Sequence, residues 1–216
     1  MSKNFKGYMG DQIGKLGTAV GRRWKRKMIY ASYQGHVRNP RTEKQMLVRG
    51  RFKVLTQLAN EMEPALVIGM KGYSDSRQWT ERNGFMMANQ MAVTGSSAEA
   101  LEVDYEALHV SMGTLTGVEF GSNDFSQQSE VTATIEDPNV GTRALADDKV
   151  WLVAYCPDLH SVAVSDGTTK RTDGSVTVRV PHKWAGMKVH LYGFVQSSTK
   201  TTRVSESTYL GFGNIL

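Results

Sequence analysis

The chain has 216 residues, 40% apolar and 22% charged, with a net charge of +5, a balance that supports a packed core and excludes a wholly disordered or fibrous polymer. No apolar run reaches the roughly 18 residues that a membrane-crossing helix needs, and the opening MSKNFKGYMGDQ lacks the apolar stretch of a secretory signal. Cytoplasmic synthesis without a signal peptide, and no membrane partner, is therefore the expectation.

The charge is unevenly spread. Residues 1–60 carry 14 Lys and Arg against Asp11 and Glu43, or +12, and residues 61–216 carry 12 bases against 19 acids, or −7. Such asymmetry points to a first part that meets phosphate, an acidic protein surface, or the acidic part of a neighbouring copy.

Residues 1–38 read as a basic extended arm. Gly7, Gly10, Gly14, Gly17 and Gly21 argue against a helix, because each costs about 1 kcal/mol relative to alanine in a helix interior. Thr18-Ala19-Val20 and Met28-Ile29-Tyr30 flank a polar stretch, which predicts a β-hairpin whose tip carries Arg22, Arg23, Lys25, Arg26 and Lys27 around Trp24. With Lys15, Arg38 and Arg41 these form the candidate assembly or phosphate-binding arm. A two-stranded hairpin is marginal alone, so completion by the rest of the chain or by another subunit is expected. Gly10-Asp11-Gln12-Ile13-Gly14-Lys15-Leu16 is not a phosphate loop: it has three residues between its glycines, not four, and no Ser or Thr after the lysine.

Residues 39–98 predict a small helical layer. Asn39 and Pro40 suit a cap and a first helical position, and Val48, Phe52, Leu55, Ala59 and Met62 form one apolar stripe of a helix over about 41–62. The opposite face carries Lys44, Arg49, Arg51 and Lys53, as a solvated face does. Pro64 breaks this helix. A short apolar stretch over 65–70 and a segment over 76–93, with Trp79, Phe85, Met86 and Met91, complete the layer, the methionines filling core. Gly95-Ser96-Ser97-Ala98 marks the boundary to the remainder of the chain.

Residues 103–216 change to short β-rich runs separated by turn signals, which predicts an antiparallel immunoglobulin- or fibronectin-like β-sandwich and, for the whole chain, an α+β class. The expected strands are 107–115, 131–135, 150–155, 161–164, 176–180, 187–195 and 207–210. Val176, Val178 and Val180 face inward, Thr177 and Arg179 outward, and Trp151 and Leu191 occupy inner faces. Asp166-Gly167 and Asp173-Gly174 supply tight turns. Pro181-His182-Lys183-Trp184-Ala185-Gly186, followed by Val189 and Leu191, resembles the turn into the sixth strand of fibronectin-like domains.

No catalytic constellation assembles. His36, His109, His160, His182 and His190 have no metal-ligand spacing and read as surface or edge-strand residues. Asp147-Asp148 and Glu136-Asp137 fit turn chemistry. Cys156, the single cysteine, lies in an apolar run and reads as a buried structural thiol. No enzyme, metal, cofactor or small-molecule substrate is expected.

Gly14-Lys15-Leu16-Gly17, Val20-Gly21-Arg22-Arg23-Trp24-Lys25, Asn39-Pro40-Arg41-Thr42, Ser111-Met112-Gly113-Thr114-Leu115, Ala146-Asp147-Asp148-Lys149, and Val189-His190-Leu191-Tyr192-Gly193-Phe194-Val195 succeed one another in an order that resembles an uncharacterised domain-of-unknown-function family abundant in Bacteroidota. The segment Asn39-Pro40-Arg41-Thr42-x-x-Gln45-x-x-x-Arg49 also resembles one in phage-associated small proteins. With the basic arm, the resemblance implies a non-catalytic structural, self-assembling component of a phage, prophage or related particle, a homo-oligomer or particle subunit. The alternative is a sequence-independent nucleic-acid-binding protein using the same arm.

Overall fold

The computed structural model describes residues 3–5, 11–24, 27–36, 39 and 41–216. The chain divides into two compact units, Met1–Arg41 and Thr42–Leu216, and its described residues form mostly antiparallel sheets, four in all, with four helices.

In the first unit β1 (Lys3–Phe5), β2 (Asp11–Leu16), β3 (Ala19–Trp24) and β4 (Lys27–Ser32) form an antiparallel meander in chain order. At one edge is the expected hairpin of β3 and β4, with Arg22 opposite Ile29 and Trp24 opposite Lys27. Two further strands extend it. Gly17, at φ +57°, lets a short connection join β2 to β3, because glycine enters the left-handed region without a Cβ penalty. The tip is shorter than expected: Arg22, Arg23 and Trp24 are paired strand residues, since the β ladder continues through Trp24 and Lys27.

The second unit opens with α1 (Glu43–Glu61), capped by Thr42, whose hydroxyl accepts the Gln45 N–H at 3.4 Å. The cap is thus Thr42, not Asn39. Thr42-Glu43-Lys44-Gln45 has the threonine and glutamine spacing of a capping box, a local signal that outweighs the preceding Asn-Pro pair. Pro64 lies in the first turn of α2 (Glu63–Gly69), so the helix ends and restarts where the missing N–H costs nothing. After α3 (Lys71–Asp75), α4 (Glu81–Ala88) begins at Thr80, whose hydroxyl accepts the Asn83 N–H. Next comes the hairpin of β5 (Val93–Ser97) and β6 (Ala100–Val103), so Gly95 to Ala98 are hairpin residues.

Seven strands remain: β7 (Glu119–Asp124), β8 (Glu130–Asp137), β9 (Lys149–Cys156), β10 (Ser161–Val164), β11 (Ser175–Arg179), β12 (Lys188–Gln196) and β13 (Thr208–Asn214). They form one sheet ordered β11-β8-β7 and another ordered β10-β9-β12-β13. The second sheet is buried on both faces. Val150, Leu152, Ala154, Cys156, Val189, Leu191 and Val195 join Val131, Ala133, Val176 and Val178 of the first sheet in one core. The alternate residues Val153, Tyr155, Tyr192 and Phe194 join Leu55, Leu58, Met62, Leu66 and Phe85 of the helices in another. Strands covered on both faces read as near-continuous apolar runs, as β9 and β12 do. Gly193 marks how closely the sheets approach: a Cβ there would lie 2.3 Å from the Phe120 ring.

Three sequence expectations change here. Residues 107–115 are not a strand; Leu108 and Val110 enter the helix-side core instead, and Ser111 donates its hydroxyl to the Gly69 and Ser205 carbonyls, holding an irregular segment between helices and sheet. The additional strand of the set is β7, whose Gly, Ser, Asn and Asp residues imitate a loop. Trp151 is half-buried on the helix side, stacked on Phe194 and donating to Gln196, while Leu191 is on the inter-sheet face as expected. The α1 stripe is covered only in part: Leu55, Ala59 and Met62 are buried, but Val48 and Phe52 are 65% and 61% exposed.

Candidate assembly interface

The described residues of the basic arm form a sheet whose apolar side chains are half-buried or exposed. Among its described side chains none of the apolar ones is buried, and Trp24, Tyr30 and Tyr33 are 59%, 55% and 46% exposed. Neither buried core cluster includes one of its described residues. Strand alternation places Val20, Arg22 and Trp24 on one face with Lys27 and Ile29 of β4, and Ala19, Gly21 and Arg23 on the other with Met28 and Tyr30.

The predicted site residues stand in different surroundings. Arg23 forms an ion pair with Asp11, and the Lys15 ammonium lies 3.7 Å from the centre of the Tyr33 ring, a cation–π contact. Arg22, Trp24 and Lys27 stand exposed together on one face, and Arg41 is exposed at the end of the unit. Lys25, Arg26 and Arg38 lie outside the described residues. Exposed pairs of this kind contribute at most about 1 kcal/mol each, so the arm's charges do not replace a core.

Some buried charged groups of the second unit find their partners within it. Arg171, fully buried, donates to the carbonyls of Thr116, Gly117 and Pro138 at 2.8–2.9 Å and faces Asp148 at 3.4 Å. Asp148 also accepts the Leu145 and Ser198 N–H groups. Asp148 is therefore a buried anchor, more than the turn residue its sequence neighbourhood implies. Burial lowers the Arg171 pKa and the Asp148 charge opposes that shift. Spacing gives no hint of this pair, because its members come from separate loops.

His190 departs from its expected surface position. It is 4% exposed, stacks on Tyr105 at 4.2 Å, and has Nδ1 2.8 Å from the Tyr209 hydroxyl. Burial first, and the Lys188 charge second, lower its pKa to about 4, so the ring is neutral at pH 7. Burial likewise raises Tyr155 and Tyr192 far above the usual phenol range, with Glu61 adding to the Tyr155 shift. Cys156 is buried, as expected. Among the described residues no group of three or more His, Cys, Asp or Glu is placed to hold a metal ion, and no described helix is long and apolar enough to cross a membrane.

A model of a family of unknown function, DUF6266, matches residues 10–211. No curated protein and no solved structure gives a match. The match spans both units, and the chain belongs to that family.

Proposed function

We propose that this member of the family is a non-catalytic structural subunit that joins other copies through its N-terminal sheet. The observation that carries the reading is a four-stranded sheet with no buried apolar side chain among its described residues. Backbone ladders alone do not stabilise a small sheet in water, and a hydrophobic face packed on something is required. A sheet with +12 in its neighbourhood and a second part of opposite sign supports a head-to-tail contact between copies.

The body in this reading is an immunoglobulin- or fibronectin-like sandwich. Strands one, two and five of its seven form one sheet, and strands three, four, six and seven the other. That division resembles the immunoglobulin constant arrangement with the fourth strand moved to the opposite sheet, which supports the reading. The buried Trp184, in the 3-10 turn His182–Trp184 before the sixth strand, supports the fibronectin-like resemblance of that turn. A sandwich of this kind is a compact spacer, suited to a repeated surface in a phage-like particle.

Sedimentation tests the assembly. The full chain is expected to associate at about 50 mM salt and dissociate at about 500 mM, as screening shortens the reach of exposed charges. Residues 42–216 are expected to stay folded, with one cooperative melt, and monomeric at both salts. A full chain that is monomeric at low salt, or a truncated chain that associates equally well, refutes the reading.

One observation favours a second reading, a sequence-independent nucleic-acid interface. Arg22, Trp24 and Lys27 share one exposed face of the hairpin, and cations around an aromatic ring suit phosphates and a stacked base. Retention of single-stranded DNA that falls steeply with salt and is lost in Trp24→Ala with Arg22→Ala would establish it. No retention at low salt removes it.

A further inference from the structure

The exposed start of the α1 stripe is one wall of a groove of about 630 Å3. Val48 and Phe52 of α1 form that wall, and Met87 of α4 and Met91 just beyond it form the other, 49% and 86% exposed. Leu55, 4% exposed, and the partly buried Met86 line its floor. These residues lie wholly within Thr42–Leu216. Four large exposed apolar side chains gathered around one concavity mark a recognition surface better than a scattered set does, and methionine walls adapt to the side chains of a partner.

The charges around the groove identify what fits. Between Glu43 and Glu61 α1 has no acid and carries Lys44, Arg49, Arg51 and Lys53. At 100° per residue Lys44 and Arg51 lie beside the Val48–Phe52–Leu55 line, not on the opposite face that the sequence suggested, and Arg49 and Lys53 lie farther round the helix on the other side. The apolar wall therefore has cations on both sides, nearest at Lys44 and at Arg51, which lines the groove. Arg51 donates one N–H to the Gly95 carbonyl at 3.3 Å, and its Nε–H, shielded from solvent, meets no acceptor among the described residues. An isologous contact of α1 with its copy sets these cations against each other, and like charges oppose it. A flat anionic membrane leaves the concave floor unfilled.

We propose that this groove binds an amphipathic helix of a partner protein, whose apolar face enters between Phe52 and Met91 and whose flanking positions are acidic. Anchors spaced i, i+3/i+4 and i+7 fill such a groove, and carboxylates at the borders meet the α1 cations. The inference is independent of the N-terminal assembly contact.

Display selection on the full chain tests it, using helical peptides of about 18 residues with fixed leucines at the anchor positions and charges randomised elsewhere. Selected peptides are expected to be rich in Glu and Asp beside the anchors. Their affinity should fall at least about tenfold in Phe52→Glu and in Met91→Glu, with unchanged melting temperatures because both side chains are exposed. The double variant Lys44→Glu, Lys53→Glu should weaken the acidic peptides while Phe52 is intact. Selection without acidic bias, no selection at all, or binding that persists in Phe52→Glu overturns the proposal, and persistence there assigns the peptides to the basic arm. Flotation with phosphatidylglycerol vesicles that depends on Phe52, in the absence of peptide binding, overturns it in favour of a membrane.

Discussion

β4 and β12 are both antiparallel strands, paired on one side and on two sides respectively, and they live in opposite surroundings. β4 buries none of its six residues, whereas β12 buries eight of its nine. Each strand makes ladder hydrogen bonds, whose net contribution is modest because water offers the same bonds to the unfolded chain. What separates the two regions is the apolar surface removed from water: β12 buries apolar side chains on both faces, whereas Met28 and Ile29 of β4 are only half-buried. The second unit is therefore expected to carry its own stability, and the N-terminal sheet, in the proposed reading, to gain from what it meets.

The comparison breaks most sharply if the interior of the second unit is insensitive to change. Arg171→Ala leaves Asp148 buried without its counter-charge and three carbonyls without donors, and a loss of about 3–5 kcal/mol is expected. Urea unfolding measures it; a loss below about 1 kcal/mol would mean that the site relaxes or hydrates. Trp184→Ala, at a fully buried ring, is expected to cost about 3–5 kcal/mol as well. Trp151→Ala should cost clearly less, because that ring is half-buried, and equal losses would misplace one of the two rings.

Acid supplies a test that leaves the sequence intact. The folded pKa of His190 is depressed to about 4, below its unfolded value of about 6.5. Between these values the unfolded chain binds the extra proton, so stability is full above about pH 6.5 and declines as pH falls toward 4. The expected loss at pH 4 is on the order of 3 kcal/mol. His190→Gln should flatten that part of the pH–stability curve, and an unchanged slope would place the titration elsewhere.

Surface changes are expected to be smallest. Arg179→Ala removes an exposed partner of Glu130 and should shift stability by less than about 0.5 kcal/mol. Trp24→Ala should leave the main melting transition unchanged, since the ring belongs to the other unit. A shift in that transition of several degrees would show that the N-terminal sheet stabilises the second unit, and the contrast between the regions would soften.

Much of this molecule is legible in local pattern. The charge division, the hairpin around 19–30, the helix over about 41–62, the turns at Gly167 and Gly174 and six of the last seven strands arise from periodicity and turn chemistry. The inward set Val176, Val178 and Val180 alternates with exposed neighbours as a strand with one open face must. The candidate arm was legible as charge, but which of its cations are held, Arg23 by Asp11 and Lys15 over Tyr33, depends on strand register.

Tertiary structure alone decided the rest. Residues 107–115 carry a strand-like pattern, yet no neighbouring strand offers them a ladder, and Leu108 and Val110 fill the helix-side core while Leu115 joins the core between the sheets. Asp148 and Arg171 become a buried pair only when two loops meet, and His190 is buried only because Tyr105 and Tyr209 cover it. The apolar stripe of α1 is continuous in sequence, while its burial begins only at Leu55 because Val48 and Phe52 face an open groove toward Met87 and Met91. Periodicity states which face of an element prefers to be buried; only the packed neighbours determine how much of that face they cover.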